Sequence, residues 1–261
     1  MLSDKHTFER RHVLYCDILG FSSYMTSIWF EKSRCFRLFH ALDEVIRQAH
    51  NKIDPSLSDS ETGLVADYVV NPEATYCSDS IIISTPSTNI DAMWLCEAAS
   101  NLQNAIAHLG FLLRGAITTG DLYHSGNTIF GPAIAGAVQL EKSIGIPAIC
   151  LSNETYTIFH QISKVSDGPI VSAVSSRLLS TFNSSLSFAD PFWRLRRYAM
   201  MESLAPEPSI LFDSWRNLIE RGLQHEDLKT FKKYVWTAEY FNQAMCNKPS
   251  NILPISIPIR P

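Results

Sequence analysis

Asp17 stands in the apolar run HVLYCDILGFSS, residues 12–23, which otherwise reads like the inside of a sheet. Burying an unpaired carboxylate costs several kcal/mol or forces it to protonate, so an aspartate here calls for a cation or a dense hydrogen-bond network. A second aspartate, Asp79, interrupts the β-patterned run ATYCSDSIIIST, residues 74–85. If the two runs are neighbours in one sheet, the carboxylates converge and repel unless divalent cations lie between them. Oxygen ligands of this kind suit hard ions such as Mg2+ or Mn2+. The turn LGFSS after Asp17 points backbone N–H groups and a helix N-terminus outward, an arrangement that favours phosphate.

The elements that would position these residues follow from periodicity and turn chemistry. HVLYCDIL reads as a strand ending at Gly20, after which Ser22 or Ser23 caps one long amphipathic helix reaching His50. GLVADYVV and ATYCSDSIIIST, separated by NPE, read as an antiparallel pair with Asp79 inside the second strand. A helix is predicted over residues 90–110 and a hairpin turning at Ser125-Gly126-Asn127. Gly131 and Pro132 then open a helix through AIAGAVQLEKSI, and IPAICLS follows as a strand. Residues 11 to about 153 therefore read β-α-β-β-α-β plus a helix and a strand, an α+β, ferredoxin-like fold. Residues 1–153 are expected to form the core and residues 154–261 a C-terminal extension packed on the same domain. That extension holds a serine-rich stretch, a strand-like WRLRRYAMM, an amphipathic helix around LFDSWRNLIERGL and a proline-spaced tail.

Composition limits the alternatives. With 261 residues, 46% hydrophobic and 18% charged, the chain can bury a full core, and a net charge of −4 offers no basic field for extended nucleic acid. The six cysteines lack CxxC spacing, the N-terminus has no apolar h-region, and no uncharged apolar run reaches the length that spans a bilayer, so a cytoplasmic protein without membrane association is expected. The histidines show neither HxxxH nor HExxH spacing, and there is no GxSxG elbow or P-loop. Glu141 and Lys142 read as a solvated charged helix face.

The ordered set strand–DILGFS–helix, SDSIIIS and LLRGAITTGDLY…IFGPAIAGAVQLE resembles the catalytic domain of class III nucleotidyl cyclases over about residues 10 to 153. The resemblance implies that Asp17 and Asp79, with the Ile18 carbonyl, hold two divalent ions, Mn2+ or Mg2+, against a nucleoside triphosphate. It implies that Gly20, Phe21 and Ser22 cradle the phosphates. The ribose 3′-hydroxyl then attacks the α-phosphorus in line and pyrophosphate leaves, giving a cyclic nucleotide. A head-to-tail homodimer with sites near the subunit boundary is also implied, with Ile129 and Phe130 as apolar contacts.

Two departures from the purine cyclases of that family stand out. Thr75 occupies the position, four residues before the second aspartate, where they carry a base-reading lysine or glutamate. Ala135 and Gln139 stand where they carry an asparagine and an arginine that assist the transition state. These departures, with LLRGAI, GDLYH, IFGPAI and QLEKS, look more like the bacterial pyrimidine cyclases of Pycsar anti-phage systems. The implied reaction converts UTP, or alternatively CTP, to its 3′,5′-cyclic monophosphate for a separate effector protein to read. Arg114 is then the expected phosphate-facing cation, because a guanidinium grips two phosphate oxygens and keeps its charge, and Gly115 beside it would let a ligand approach closely. Tyr68, Thr75 and Tyr76 are base-pocket candidates. Two rivals remain: a catalytically inactive cyclase-like domain that dimerises or senses nucleotides, and a GGDEF-like or palm-type transferase, for which neither signature nor template channel is present.

Overall fold

The computed structural model describes residues 7–51, 72–165, 178–198, 206–246 and 253–260. Strand β1 (Glu9–Ile18) lies between β3 (Ser80–Pro86) and β4 (Leu113–Ser125), antiparallel to both, and β2 (Glu73–Cys77) pairs with the outer edge of β3. Alternation along β1 splits its side chains between two layers. Leu14, Cys16 and Ile18 join a core built on α3 (Asn89–His108), whereas Val13 and Tyr15 pack on the opposite face, under α4 (Pro132–Ser143). Thr88 caps α3 by accepting the Asp91 N–H, and proline opens α4.

These strands reproduce the β-α-β-β-α-β order, and the sheet continues beyond it. The hairpin partner β5 (Thr128–Phe130) curls from β4, and β6 (Ile149–Leu151) runs parallel to β4. Next come β8 (Phe188–Ala189) and β7 (Leu179–Ser180), so the order among the described residues is β2-β3-β1-β4-β6-β8-β7. The fold is α+β.

Three local expectations need correction. The helix expected over residues 22–50 is two, α1 (Phe21–Ile28) and α2 (Lys32–Asn51), because the Glu31 N–H takes the Ile28 carbonyl at 2.8 Å in a tight turn. The break lets Phe21 and Leu42 both reach the core on α3. The run at residues 74–85 is not one strand, since Ser78 and Asp79 form the turn between β2 and β3, with Ser78 at φ 59°. Short polar residues suit such a turn, and the expected strand GLVADYVV, with Tyr68, lies outside the described residues. WRLRRYAMM begins as a helix, α6 (Trp193–Tyr198), started by the Asp190 carboxylate accepting the Phe192 N–H at 2.8 Å. Two of its arginines are paired, Arg194 with Glu97 and Arg196 with Asp190.

Among the described residues the extension holds three more helices, α5 (Asn153–Val165), α7 (Pro206–Gly222) and α8 (Leu228–Met245), of which α5 and α8 were not expected from the sequence. Asp227 caps α8 through the Thr230 N–H at 2.7 Å. The tail, residues 253–260, clasps this pair: Asn242 brackets Ile255, and Arg260 donates to the Leu223 and His225 carbonyls while lying over the Phe231 ring. No helix among the described residues is long and apolar enough to cross a membrane.

Candidate active site

The end of β1 carries the site. Asp17 is the cross-strand partner of Ser80 on one side and Arg114 on the other. The β2–β3 turn brings Asp79 beside it, with the Ile18 N–H donating to the Asp79 carbonyl at 2.9 Å and the Ser22 hydroxyl donating to its carboxylate at 3.2 Å. The two aspartates thus come together by a route other than two interior strand positions. Gly20, at φ 78°, provides the left-handed bend into α1, whose first turn no side chain caps; Ser22, expected as a cap, holds Asp79 instead. The Phe21 ring is buried against Phe111, and Ile18 is buried too, so both offer a ligand only their main chain.

Asp17 is half-buried, and its carboxyl is pushed up to about 6. Desolvation contributes most, followed by the negative charges of Asp79 and Glu141, against the opposing pull of Arg114 and Lys233. A divalent cation between Asp17 and Asp79 would remove the main electrostatic cost of this arrangement, so these residues fit such an ion. Among the described residues no three histidine, cysteine, aspartate or glutamate side chains gather into a complete metal site, so this pair would be the protein's share of the coordination, with water and phosphate oxygens as the remainder.

Arg114 does reach this cluster, but with its charge already engaged. Its Nε donates to the Glu141 carboxylate, which is buried on the sheet-facing side of α4 with Ala133 and Ala137. Glu141 is therefore not on a solvated face, although Lys142 is exposed. Gly115 does not open a path for ligand: a Cβ there would lie 2.4 Å from the Tyr15 carbonyl and 2.6 Å from Cys16 Cβ, so the close approach is by β1 itself. Lys233, on α8, also acts electrostatically on Asp17, Glu141 and Arg114, although no motif in the sequence marks it. The i, i+4 burial of Ala133, Ala137 and Glu141 was open to reading from the sequence; nothing local distinguishes Lys233 from Lys232 or Lys229.

Tyr76 is not brought to the site. It pairs with Ile81 on the α2 side of the sheet, where its hydroxyl is 3.5 Å from Asp43. Thr75 pairs with Ile82 and faces the other way. Its hydroxyl donates to the Gly126 carbonyl at 2.5 Å, so His124 Nε2 donates to it at 2.9 Å and Nδ1 accepts from Ser84 at 2.8 Å. Ala135 and Gln139 are both exposed on α4, and Gln139 borders a cleft of about 540 Å3 flanked by Thr118, Gly136 and Ser152, which none of Asp17, Asp79 or Arg114 lines. On the β4–β5 hairpin, Phe130 is 49% exposed with Phe8 packed edge-on against it, and Ile129 is half-buried.

No protein-family model and no curated protein matches this chain. Among solved structures, the adenylyl cyclase CyaB from P. aeruginosa is similar at 16% identity over 60% of this chain and 84% of that one, with a TM-score of 0.45. The adenylate/guanylate cyclase/hydrolase from Silicibacter pomeroyi gives 18% identity over 70% and 95%, with a TM-score of 0.40. A bacterial light-regulated adenylyl cyclase gives 12% over 60% and 47%, also with a TM-score of 0.40. Likeness at this level leaves the chemistry of this chain to be argued from its own residues.

Proposed function

We propose that this chain is a divalent-metal-dependent nucleotidyl cyclase, and more narrowly a pyrimidine cyclase that converts UTP, or alternatively CTP, to its 3′,5′-cyclic monophosphate and pyrophosphate. The observation that carries this reading is the meeting of Asp17 and Asp79 at the uncapped start of α1. Divalent ions held there by the two carboxylates and the Ile18 carbonyl would supply charge neutralisation and an activated 3′-hydroxyl. The residues of the chain do the rest. The backbone N–H groups of Gly20, Phe21 and Ser22 face the phosphates, while Ser22 fixes the Asp79 carboxylate. Arg114, oriented by Glu141, places positive charge across the strand from Asp17.

The pyrimidine preference rests on the motif resemblance together with Thr75, whose hydroxyl is already taken up by His124 and Gly126. A role in anti-phage signalling, with the product read by a separate effector, rests on that resemblance alone. A homodimer is proposed with the exposed Phe130 and Phe8 near the contact, burying on the order of 1,000 Å2 or more. Full activity at concentrations where sedimentation shows only monomer would refute the dimer. A second reading, an inactive nucleotide-sensing domain, is favoured by exposed and uncharged Ala135 and Gln139.

One experiment separates these readings. Purified protein is incubated with each of the four ribonucleoside triphosphates and manganese, and the products are separated by mass. Cyclic UMP or cyclic CMP supports the proposal, a cyclic purine product corrects the substrate, and nucleotide binding without any cyclic product favours the inactive domain. Asp17→Ala and Asp79→Ala are each expected to abolish turnover with the fold retained, and near-normal turnover in either would remove the metal assignment.

A further inference from the structure

We infer that the exposed face of α2 docks on α2 of a second copy of this chain, the two helices lying antiparallel across a two-fold axis. Lys32, Phe36, Phe39 and Asp43 follow one another at spacings of four, three and four residues, which places them within about 60° of one another on the helix surface. All four are exposed, Phe36 by 63% and Phe39 by 48%, whereas Leu38 and Leu42 turn to the core on α3. Two large rings side by side in solvent, on a helix already packed through another face, mark an interaction surface. Trp29, with Lys32 Nζ 3.9 Å from its ring centre, and Phe30, 92% exposed, widen the apolar area at one end.

The order of the stripe selects its occupant. It reads cation, ring, ring, anion from the N-terminal end. An antiparallel copy therefore sets Lys32 of each chain against Asp43 of the other and Phe36 against Phe39, so that charge and ring area are both complementary. A parallel copy would set Lys32 against Lys32 and Asp43 against Asp43. An anionic lipid surface would gain from Lys32 and from the exposed Arg34 and Arg37, but it would repel Asp43, which stays exposed although the Tyr76 hydroxyl is 3.5 Å away. The surface belongs to the α3 layer, whereas Ile129 of the β4–β5 hairpin packs with Ala133 of α4 on the other face of the sheet. The contact is thus separate from the one proposed at Phe8 and Phe130, and it does not depend on the cyclase reading. Two separate two-fold contacts on one chain give a closed tetramer or an open chain of dimers.

The test follows self-association of the full chain by sedimentation equilibrium over a range of concentrations, beside melting temperature. Wild type is compared with Lys32→Asp, Asp43→Lys, Phe36→Asp and the exchanged pair Lys32→Asp/Asp43→Lys. Each single charge reversal turns two attractions into two repulsions and is expected to weaken association about tenfold or more at an unchanged melting temperature. Phe36→Asp should weaken it at least as much. The exchanged pair should regain wild-type association. An equimolar mixture of the two single reversals should associate more tightly than either alone, because the antiparallel geometry then restores both charge contacts. A wild type that stays monomeric, or single reversals within twofold of it, would overturn the inference. So would reversals that the exchange does not relieve, since these exclude the antiparallel register. A wild type that is monomeric in solution yet sediments with phosphatidylserine–phosphatidylcholine vesicles, and loses this in Phe36→Asp, would overturn it in favour of a lipid-facing helix.

Discussion

Arg114 and Glu141 show how a residue's partner decides what its substitution does. The Glu141 side chain is only 4% exposed, so Arg114→Ala leaves a buried carboxylate without its cation. Breaking a buried pair in this way costs about 3–5 kcal/mol, far more than losing a surface ion pair. Urea denaturation should show that loss in Arg114→Ala and recover most of it in Arg114→Ala/Glu141→Gln; a single variant as stable as wild type would show the pair to be energetically idle. The double variant should still turn over roughly a hundredfold slower than wild type if Arg114 meets substrate charge. His12 predicts a pH effect remote from the site. Its ring is fully buried between the Thr119 hydroxyl and the Thr88 carbonyl, and desolvation lowers its pKa below the ordinary 6.5 despite the opposing Thr88 bond and Asp91 charge. The folded state therefore binds this proton less tightly than the unfolded chain, so its contribution to stability is complete above pH 6.5 and is lost as pH falls below it. Melting temperature followed from pH 8 to about 5 should fall less steeply on the acid side in His12→Gln. Identical slopes would exclude His12 as the responsible group.

Among the elements, β1 and β4 do most to set the site, because their register puts Arg114 opposite Asp17. Gly115 permits it. A methyl group there would meet the Tyr15 carbonyl at 2.4 Å and the Cys16 Cα at 2.9 Å, both backbone atoms that cannot move without shifting the pairing. Gly115→Ala should therefore destabilise by about 3 kcal/mol, the upper end of ordinary overpacking. Gly136, inside α4, provides the contrast, since a methyl group added there would meet nothing within 4 Å. Gly136→Ala should stabilise by about 0.5–1 kcal/mol from backbone entropy. Denaturation midpoints of the two variants check both signs, and equal shifts would mean that β1 and β4 are not in this close contact. The helix α4 was legible from its start signal, Gly131 and Pro132, and α3 from a long apolar stretch that ends at Gly110. WRLRRY was not, because two buried residues spaced by two, Trp193 and Leu195, imitate a strand while Asp190 starts a helix.

At the scale of the whole molecule, the core and the extension share one interior. Ala116, Ala137 and Cys150 lie in a cluster whose other buried members include Phe188, Phe192, Trp215, Ile219 and Phe241. The sheet itself passes from β6 into β8 and β7 without a break. We propose that residues 1–153 and 154–261 make a single cooperative unit. A fragment ending at residue 153 is expected to bind a hydrophobic dye strongly and to show no cooperative unfolding by circular dichroism, whereas the full chain unfolds in one transition. A fragment that folds by itself and binds manganese–nucleotide would make the extension a separate domain.

The sequence by itself determined the α+β class and the nomination of Asp17 and Asp79, because these depend on short-range periodicity, turn chemistry and the cost of an acid in an apolar run; the β-α-β-β-α-β order holds with a different middle pair, since β2 and β3 both fall in the run read as one strand. Even the misplacement of Asp79 in a strand left its meeting with Asp17 standing, since a turn at the strand end delivers it to the same place. Only the tertiary structure decided which cations matter and which faces they share. Tyr76 fell on the far side of the sheet because strand neighbours alternate, so an error of one residue in face assignment reverses every side chain. Arg114 found a buried partner on α4. Such a long-range encounter follows from how helices pack on the sheet, a property of summed burial that no local spacing encodes.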